Sequence, residues 1–361
     1  MLMTVRSGAA VALLLAIAGY EQGPPALSQE SLQAIVSSRV ATGRSTGLII
    51  GVRTPEGDTT VVSAGNERAG KPIDRDTLVE IGSITKVFTG ILLAEMTGRG
   101  EVRLDQPVAD LLTGVTVPAR GARQITLGDL ATQISALPRL PDNMKPVDPT
   151  NPYADYSVAQ LEQFLARHEL RRDPGSAYEY SNLGVGLLGH ALSRRAGHSY
   201  EALVTERILA PLGMAHTLIT LNDEARAHLA DGHNPRGAIV PWWDLPTLAG
   251  AGGLRSTLAD MLRFLAACQT PPASALGRAI GVSQTPRFTV NPTLALGLNW
   301  HISTHGGEQL LWHNGGTAGF RTMIGINVRT RVGAVLLGTS AQDNEDIVRH
   351  ILVGTALGTP P

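Results

Sequence analysis

Glu80-Ile-Gly-Ser-Ile-Thr-Lys86, running on into Val87-Phe-Thr-Gly-Ile-Leu92, is the stretch from which the rest of the chain is best read. Ile84, Val87, Phe88, Ile91 and Leu92 recur at helical spacing, and glycines at 98 and 100 supply an exit, so the pattern predicts a helix over 83–98. Ser83 and Lys86 are three residues apart and share one helical face. Ser83 falls at the helix mouth, where unpaired backbone N–H groups and the positive end of the macrodipole face outward. A hydroxyl that attacks a carbonyl needs a base beside it and donors for the oxygen charge that develops; this placement offers both. Lys86, one turn deeper among apolar neighbours, loses solvation, and desolvation favours the neutral amine that can accept a proton. Taken alone, the pattern is weak, and a helix start carrying a surface lysine accounts for it more simply.

Upstream, residues 28–43 carry Leu32, Ile35, Val36 and Val40 at helical spacing, with Gly43 as a stop. Gly47–Arg53 reads as a strand, Pro55-Glu-Gly-Asp58 as a turn, and Thr59–Ser63 as the returning strand. Downstream, helical periodicity marks 157–168, 183–196, 200–210 and 256–269, and the proline-rich stretch 138–152 reads as a long irregular loop. Strand character returns over Leu294–His301, Gln309–His313, Phe320–Val328 and Val332–Gly338, before a last helix over about 343–357. Strands at both ends flank a helical middle. The expected class is therefore α/β (α+β): one antiparallel sheet built from 29–82 and 286–361 with flanking helices, and a mostly helical domain, 83–285, inserted as a second lobe. A ligand site is expected in the cleft between the two.

The chain has 361 residues, 43% hydrophobic and 17% charged, the balance of an ordinary folded protein. With 30 Lys+Arg against 31 Asp+Glu there is no basic excess to hold nucleic acid or an anionic membrane surface. The expected partner is a small molecule or short peptide. The single cysteine, Cys268, excludes an internal disulfide and lies on an apolar helical stripe, as a buried inert thiol would. Arg6 followed by the apolar run Ala9–Ala18 suits a signal peptide over 1–18, with Ala16-Ile-Ala18 as the cleavage site and 19–28 as a linker. Ile17-Ala-Gly-Tyr20 looks like a lipoprotein box in which tyrosine replaces the lipidated cysteine. The reading is simple export, periplasmic or secreted, with no membrane span in the mature chain.

Two more segments carry chemistry. Tyr180-Ser-Asn182 precedes the helix expected from Leu183: a tyrosine hydroxyl can relay a proton where nearby cations favour its ionised form, and an asparagine amide can hold a substrate carbonyl or the lysine. The plain alternative is a packed loop tyrosine with an asparagine cap. Trp312-His-Asn-Gly-Gly-Thr-Ala-Gly-Phe320 is a strand entering a glycine-rich corner, where glycines admit a substrate close to the backbone. There the Gly316 N–H could join the Ser83 N–H as an oxyanion hole, and His313 could contact a carboxylate or leaving group; the alternative is a tight hairpin with a structural histidine.

Together Ser83-x-x-Lys86, Tyr180-x-Asn182 and His313-x-Gly315 resemble the serine β-lactamase and penicillin-binding-protein superfamily, class C β-lactamases and their peptidase and esterase relatives above all. Leu104-Asp-Gln-Pro-Val108, Pro174-Gly-Ser176 and Gly252-Gly-Leu-Arg-Ser-Thr257 resemble further family segments, so the likeness spans roughly 30–345. The resemblance implies a sheet domain with a helical domain, Ser83 as acylated nucleophile, and Lys86 and Tyr180 sharing the proton transfers. It also implies Asn182 on the acyl amide, and His313, Gly315 and Gly316 along the substrate. Where class C enzymes usually have Lys-Thr-Gly, this chain has His313-Asn-Gly315, a weaker and pH-dependent cation. Thr132-Gln-Ile-Ser-Ala-Leu-Pro138 stands where Thr-His-Thr-Ser-Gly-Leu-Pro is common.

Rival readings are weaker. No G-x-S-x-G elbow is present, since Gly197-His-Ser-Tyr-Glu201 fails at its last position, and His228 and His233 lack a third ligand in the sequence. Trp242-Trp243 could line a cleft or simply pack. A lactamase-like fold acting only as a binder has no need to keep Ser83, Lys86, Tyr180 and Asn182 together. No metal or organic cofactor is implied.

Overall fold

Strand β1 (Gly47–Arg53) explains the layering. Leu48 and Ile50 point one way and Ile49 the other, and all three are buried. A strand apolar on both faces must lie inside a covered sheet. The structure is a computed structural model that describes residues 27–358; the expected signal peptide and all but the last two residues of the expected linker lie outside the described residues.

The other strands of the large sheet are β2 (Thr59–Arg68), β3 (Lys71–Pro72), β4 (Phe288–Asn291), β5 (Leu294–Leu296), β6 (His301–His305), β7 (Glu308–Gly316), β8 (Arg321–Asn327) and β9 (Gly333–Gly338). They stand in the order β4-β5-β6-β7-β8-β9-β1-β2-β3. The first segment of chain thus joins the last: β1 pairs antiparallel with β9 from Leu48↔Gly338 to Arg53↔Gly333. The two-ended antiparallel sheet expected from the sequence is what forms.

Each face has its own cover. Leu48, Ile50, Met323 and Leu336 pack with Leu32 and Val36 of helix Gln29–Ala41 and with Ile347, Val348 and Leu352 of helix Asp346–Val353. Ile49, Ile324, Val335 and Leu337 face the larger core with helix Leu258–Gln269. A one-residue slip of β1 would exchange these faces, so the register is strongly specified. Ile50 is fully buried, and truncating it to alanine costs about 2–5 kcal/mol.

Helix Thr85–Gly98 departs from the expectation of a single apolar stripe: every residue from Thr85 to Met96 is buried. It runs through the middle of the helical region, so its polar groups find internal partners. Thr89 Oγ1 lies 2.7 Å from both Tyr200 Oη and the Gly250 carbonyl, and Thr85 Oγ1 accepts the Leu254 N–H. Gly90 is what allows the fit, since a β-carbon there would stand 2.1 Å from the Leu298 carbonyl oxygen.

Other boundaries follow their caps. Ser157 and Gln160 form a capping box for Val158–Arg167, Ser181 caps Asn182–Ala196, and Thr257 caps Leu258–Gln269. The helix expected over 200–210 is α-helical only over Tyr200–Val204 and continues as a π turn. The last helix stops early because Gly354, at φ 69°, ends it. Helix Ala275–Gln284 and strand β4 are elements the periodicity did not reveal. Among the described residues no helix is long and apolar enough to cross a membrane.

Candidate active site

Ser83 lies in a single 3-10 turn, Gly82–Ile84, that leads into helix Thr85–Gly98, so the helix mouth is tighter than the sequence implied. Gly82 adopts φ +51°, and a β-carbon on it would stand 2.8 Å from the Gly316 nitrogen. The turn and the end of β7 are therefore in backbone contact. Gly315 allows this approach: its β-carbon would fall 2.0 Å from the Ile81 carbonyl oxygen, which also accepts the Thr322 hydroxyl at 2.9 Å. Gly315, expected among the substrate contacts, thus faces protein backbone and sets the spacing between nucleophile turn and strand.

Lys86 is fully buried with Nζ 2.8 Å from Ser83 Oγ and 2.6 Å from the Ala251 carbonyl. Desolvation, aided by repulsion from Arg139, lowers its pKa well below that of an ordinary lysine. In the neutral form that this shift favours, the amine has two N–H bonds and one lone pair. A carbonyl only accepts, so one N–H goes to Ala251, which leaves the lone pair free to receive the Ser83 hydroxyl proton.

The Tyr180 hydroxyl also hydrogen-bonds Ser83, while Lys86 Nζ and the Arg139 guanidinium lie 5.0 and 5.1 Å from its ring centre. Desolvation outweighs the Ser83 hydrogen bond and the Arg139 charge and raises the phenol above its ordinary value. Tyr180 is therefore a neutral donor in the free protein, where the sequence reading allowed for an ionised form. Asn182 starts its helix, Ser181 supplying the cap. Its Nδ2 donates to Tyr153 Oη at 3.0 Å, and its buried Oδ1 has no partner among the described residues.

His313 is fully buried, with Nδ1 2.7 Å from the Asn314 carbonyl and Nε2 without a partner among the described residues. Because the carbonyl accepts, Nδ1 carries the proton. Desolvation first, then His301 and Lys86, push its pKa well below that of a free imidazole. The expected pH-dependent cation is accordingly an uncharged ring at neutral pH. Asn314 points to the opposite face of β7 and donates to both oxygens of Glu345 at 2.9 Å. Pairing of β6 with β7 ends at His301↔Trp312, so the last residues of β7 have an open edge. Thr317 N–H bonds the Phe320 carbonyl across the corner, and by ladder alternation Gly316 turns its own N–H to that open edge.

Residues 83, 86, 180 and 313 are thus gathered in one cluster. His301 and Arg139 were missed by sequence reading. His301 stacks on Trp312 at 4.7 Å, lies 5.1 Å from His313, and is held neutral by desolvation, with a pKa of about 4. Only the register of β6 on β7 brings it here, and periodicity does not give register. Arg139 directly follows the 132–138 segment already singled out, so a signal existed. The tryptophans divide: Trp243 packs on Tyr153 at 5.3 Å and donates its backbone N–H to Glu80, while Trp242 lines a cavity of about 880 Å³.

A part-exposed serine bonded to a buried lysine at a helix mouth, faced by a tyrosine and an edge strand on a two-ended antiparallel sheet, is the equipment of an acyl-transferring serine hydrolase. The family profile described as Beta-lactamase matches residues 32–355, and the chain belongs to that family. It is 30% identical over 294 residues to the D-alanyl-D-alanine-carboxypeptidase/endopeptidase AmpH of Escherichia coli K12, covering 77% of this chain and 75% of that one. It is 29% identical over 237 residues to a beta-lactamase of the same organism, covering 64% of this chain and 59% of the other. A crystal structure titled beta-lactamase/D-alanine carboxypeptidase, from Pseudomonas syringae, superposes with a TM-score of 0.78 at 21% identity, over 90% of this chain and 98% of that one.

Proposed function

We propose that this chain hydrolyses an amide or ester carbonyl through an acyl-enzyme on Ser83, in the manner of class C β-lactamases. The observation that carries the reading is the 2.8 Å contact of Ser83 Oγ with a fully desolvated Lys86 amine. The Lys86 lone pair takes the hydroxyl proton as Oγ attacks the carbonyl carbon. The Ser83 and Gly316 N–H groups receive the developing oxyanion. Tyr180, a neutral phenol against Oγ, donates its proton to the departing nitrogen or oxygen and recovers one from Lys86. The unpartnered Oδ1 of Asn182 and Nε2 of His313 await substrate donors. Water then attacks the ester by the same route in reverse, releasing acid and regenerating Ser83.

The neutral state of His313 favours a D-alanyl peptide or carboxylic ester over efficient β-lactam turnover, since no cation stands at that position to hold a β-lactam carboxylate. The carboxypeptidase name of one relative agrees with this second reading. We further propose export: the apolar run before Ala18 supports cleavage there, which N-terminal sequencing of the mature protein tests. We also propose a division into a sheet part, 29–82 with 286–358, and a helical part, 83–285, with Ser83 at the junction.

The test is intact-protein mass spectrometry after exposure to a β-lactam and to an activated ester. An adduct that maps to Ser83 and disappears in Ser83→Ala is expected, with Ser83→Ala inactive on a nitrophenyl ester, a D-Ala-D-Ala peptide and a chromogenic cephalosporin. No adduct from any acyl donor would favour a binding protein.

A further inference from the structure

Positive charge around this site is distributed unusually. His313 and Lys86 are both fully buried, which disfavours their charged forms, and Arg255 is tied to Asp244 and to the Ile219 and Trp243 carbonyls. Arg321 lies over Gly316 and donates Nε to the Ala341 carbonyl, with Glu345 facing it. Arg139 differs from all of these. Its side chain is exposed, and among the described residues its guanidinium makes no ion pair and no hydrogen bond.

The backbone beneath it is nonetheless fixed. The Pro138 carbonyl accepts the Ser181 hydroxyl at 2.6 Å, and the Arg139 carbonyl accepts the Leu183 N–H at 3.2 Å, both at the start of the helix that carries Asn182. The free head therefore projects from a rigid base over the Tyr180 ring, 5.1 Å from its centre, and its field reaches Lys86, Tyr153, Tyr178 and Tyr180. A guanidinium with a fixed stem, an unused planar fork and a place beside the nucleophile fits a carboxylate bidentately.

We propose that Arg139 is the anion-recognition residue of this site, pairing with a carboxylate on the substrate. The inference rests on the acyl-enzyme reading above. It predicts that this enzyme prefers substrates bearing a carboxylate a few bonds from the scissile carbonyl, such as a peptide with a free C-terminus or a dicarboxylic half-ester.

Two esters of matched length test it: 4-nitrophenyl butyrate, which is neutral, and mono-4-nitrophenyl succinate, which ends in a carboxylate. The readout is the ratio of kcat/KM for the anionic over the neutral ester, with KM and kcat resolved. Removing Arg139 also shifts the Lys86 titration, but that change is common to both esters and cancels in the ratio. Arg139→Gln is expected to lower the ratio by about tenfold or more, through KM, and Arg139→Lys to restore part of it. Arg321→Gln is the rival variant. A ratio that falls in Arg321→Gln but stays within about twofold of native in Arg139→Gln overturns the assignment, as does a ratio moved by neither. Ser83→Ala, run in parallel, separates the two readings. Turnover surviving it overturns the acyl-enzyme reading and this inference with it; an inactive Ser83→Ala with an unmoved Arg139→Gln ratio overturns this inference alone.

Discussion

Gly315→Ala is the substitution that best tests how the site is held. The added methyl would lie 2.0 Å from the Ile81 carbonyl oxygen and 2.3 Å from Thr322 Oγ1, while real β-carbons essentially never come within 3.0 Å. Strand β7 must therefore retreat from the nucleophile turn by at least 1.0 Å. The Ile81 carbonyl cannot absorb the shift cheaply, because it accepts both the Thr322 hydroxyl and the Ile84 N–H. Gly316 moves with its neighbour, so its N–H leaves the proposed oxyanion position by a similar distance. A misplacement of about 1 Å in a catalytic array costs on the order of 100-fold, and loss of one oxyanion donor costs about 100- to 1000-fold. Overpacking adds about 1–3 kcal/mol of destabilisation, which in a chain of this size lowers Tm by about 2 °C or less per kcal/mol. The assay is kcat on a nitrophenyl ester, beside a thermal melt and acylation by the mass-spectrometric method above. A folded Gly315→Ala protein that keeps kcat within about threefold of native would refute the proposed coupling between strand position and rate.

Two further perturbations probe buried charge. Lys86 titrates below its unfolded value, so the unfolded chain binds the extra proton between the folded pKa and 10.5, and burial costs stability throughout that window. Lys86→Met should therefore be inactive yet more stable at pH 7, with the gain in Tm shrinking as pH approaches 10.5; a gain independent of pH contradicts a neutral Lys86. Glu80 holds its proton up to about pH 7, chiefly because it is desolvated, so its stabilising contribution is lost as pH rises from 4.5 through 7. Glu80→Gln should gain on the native protein by about 2 kcal/mol between pH 5.5 and 8.5 in paired denaturant titrations, and parallel curves would show Glu80 ionised in the acid range.

The sequence disclosed the sheet because β1, β7, β8 and β9 are apolar runs bounded by turn residues, and it disclosed capped helices such as 158–167 because capping side chains are local. Helix Ala275–Gln284 and strand β4 escaped, since their residues are ordinary and their burial is conferred by neighbours distant in the chain. The same division holds at the site. Ser83 and Lys86 are visible because a serine and a lysine three apart share a helical face whatever surrounds them. His301 is not, because a one-residue change of register would place its ring elsewhere. Charge state was the least legible quantity. His313 reads as a cation and Tyr180 as ionisable by residue type, yet desolvation keeps both neutral. Gly315 reads as room for a ligand, and only the fold shows that a carbonyl already occupies the space.

The pairing of β1 with β9 has a consequence for when this protein first becomes active. Ser83 is made early and the strand that completes its surroundings late, and Leu48 must wait for Gly338 before the sheet closes. A partly synthesised chain holds the nucleophile but neither His313 nor the Gly316 amide. On the proposed acyl-enzyme reading, acyl chemistry therefore waits until almost the whole polypeptide has been made.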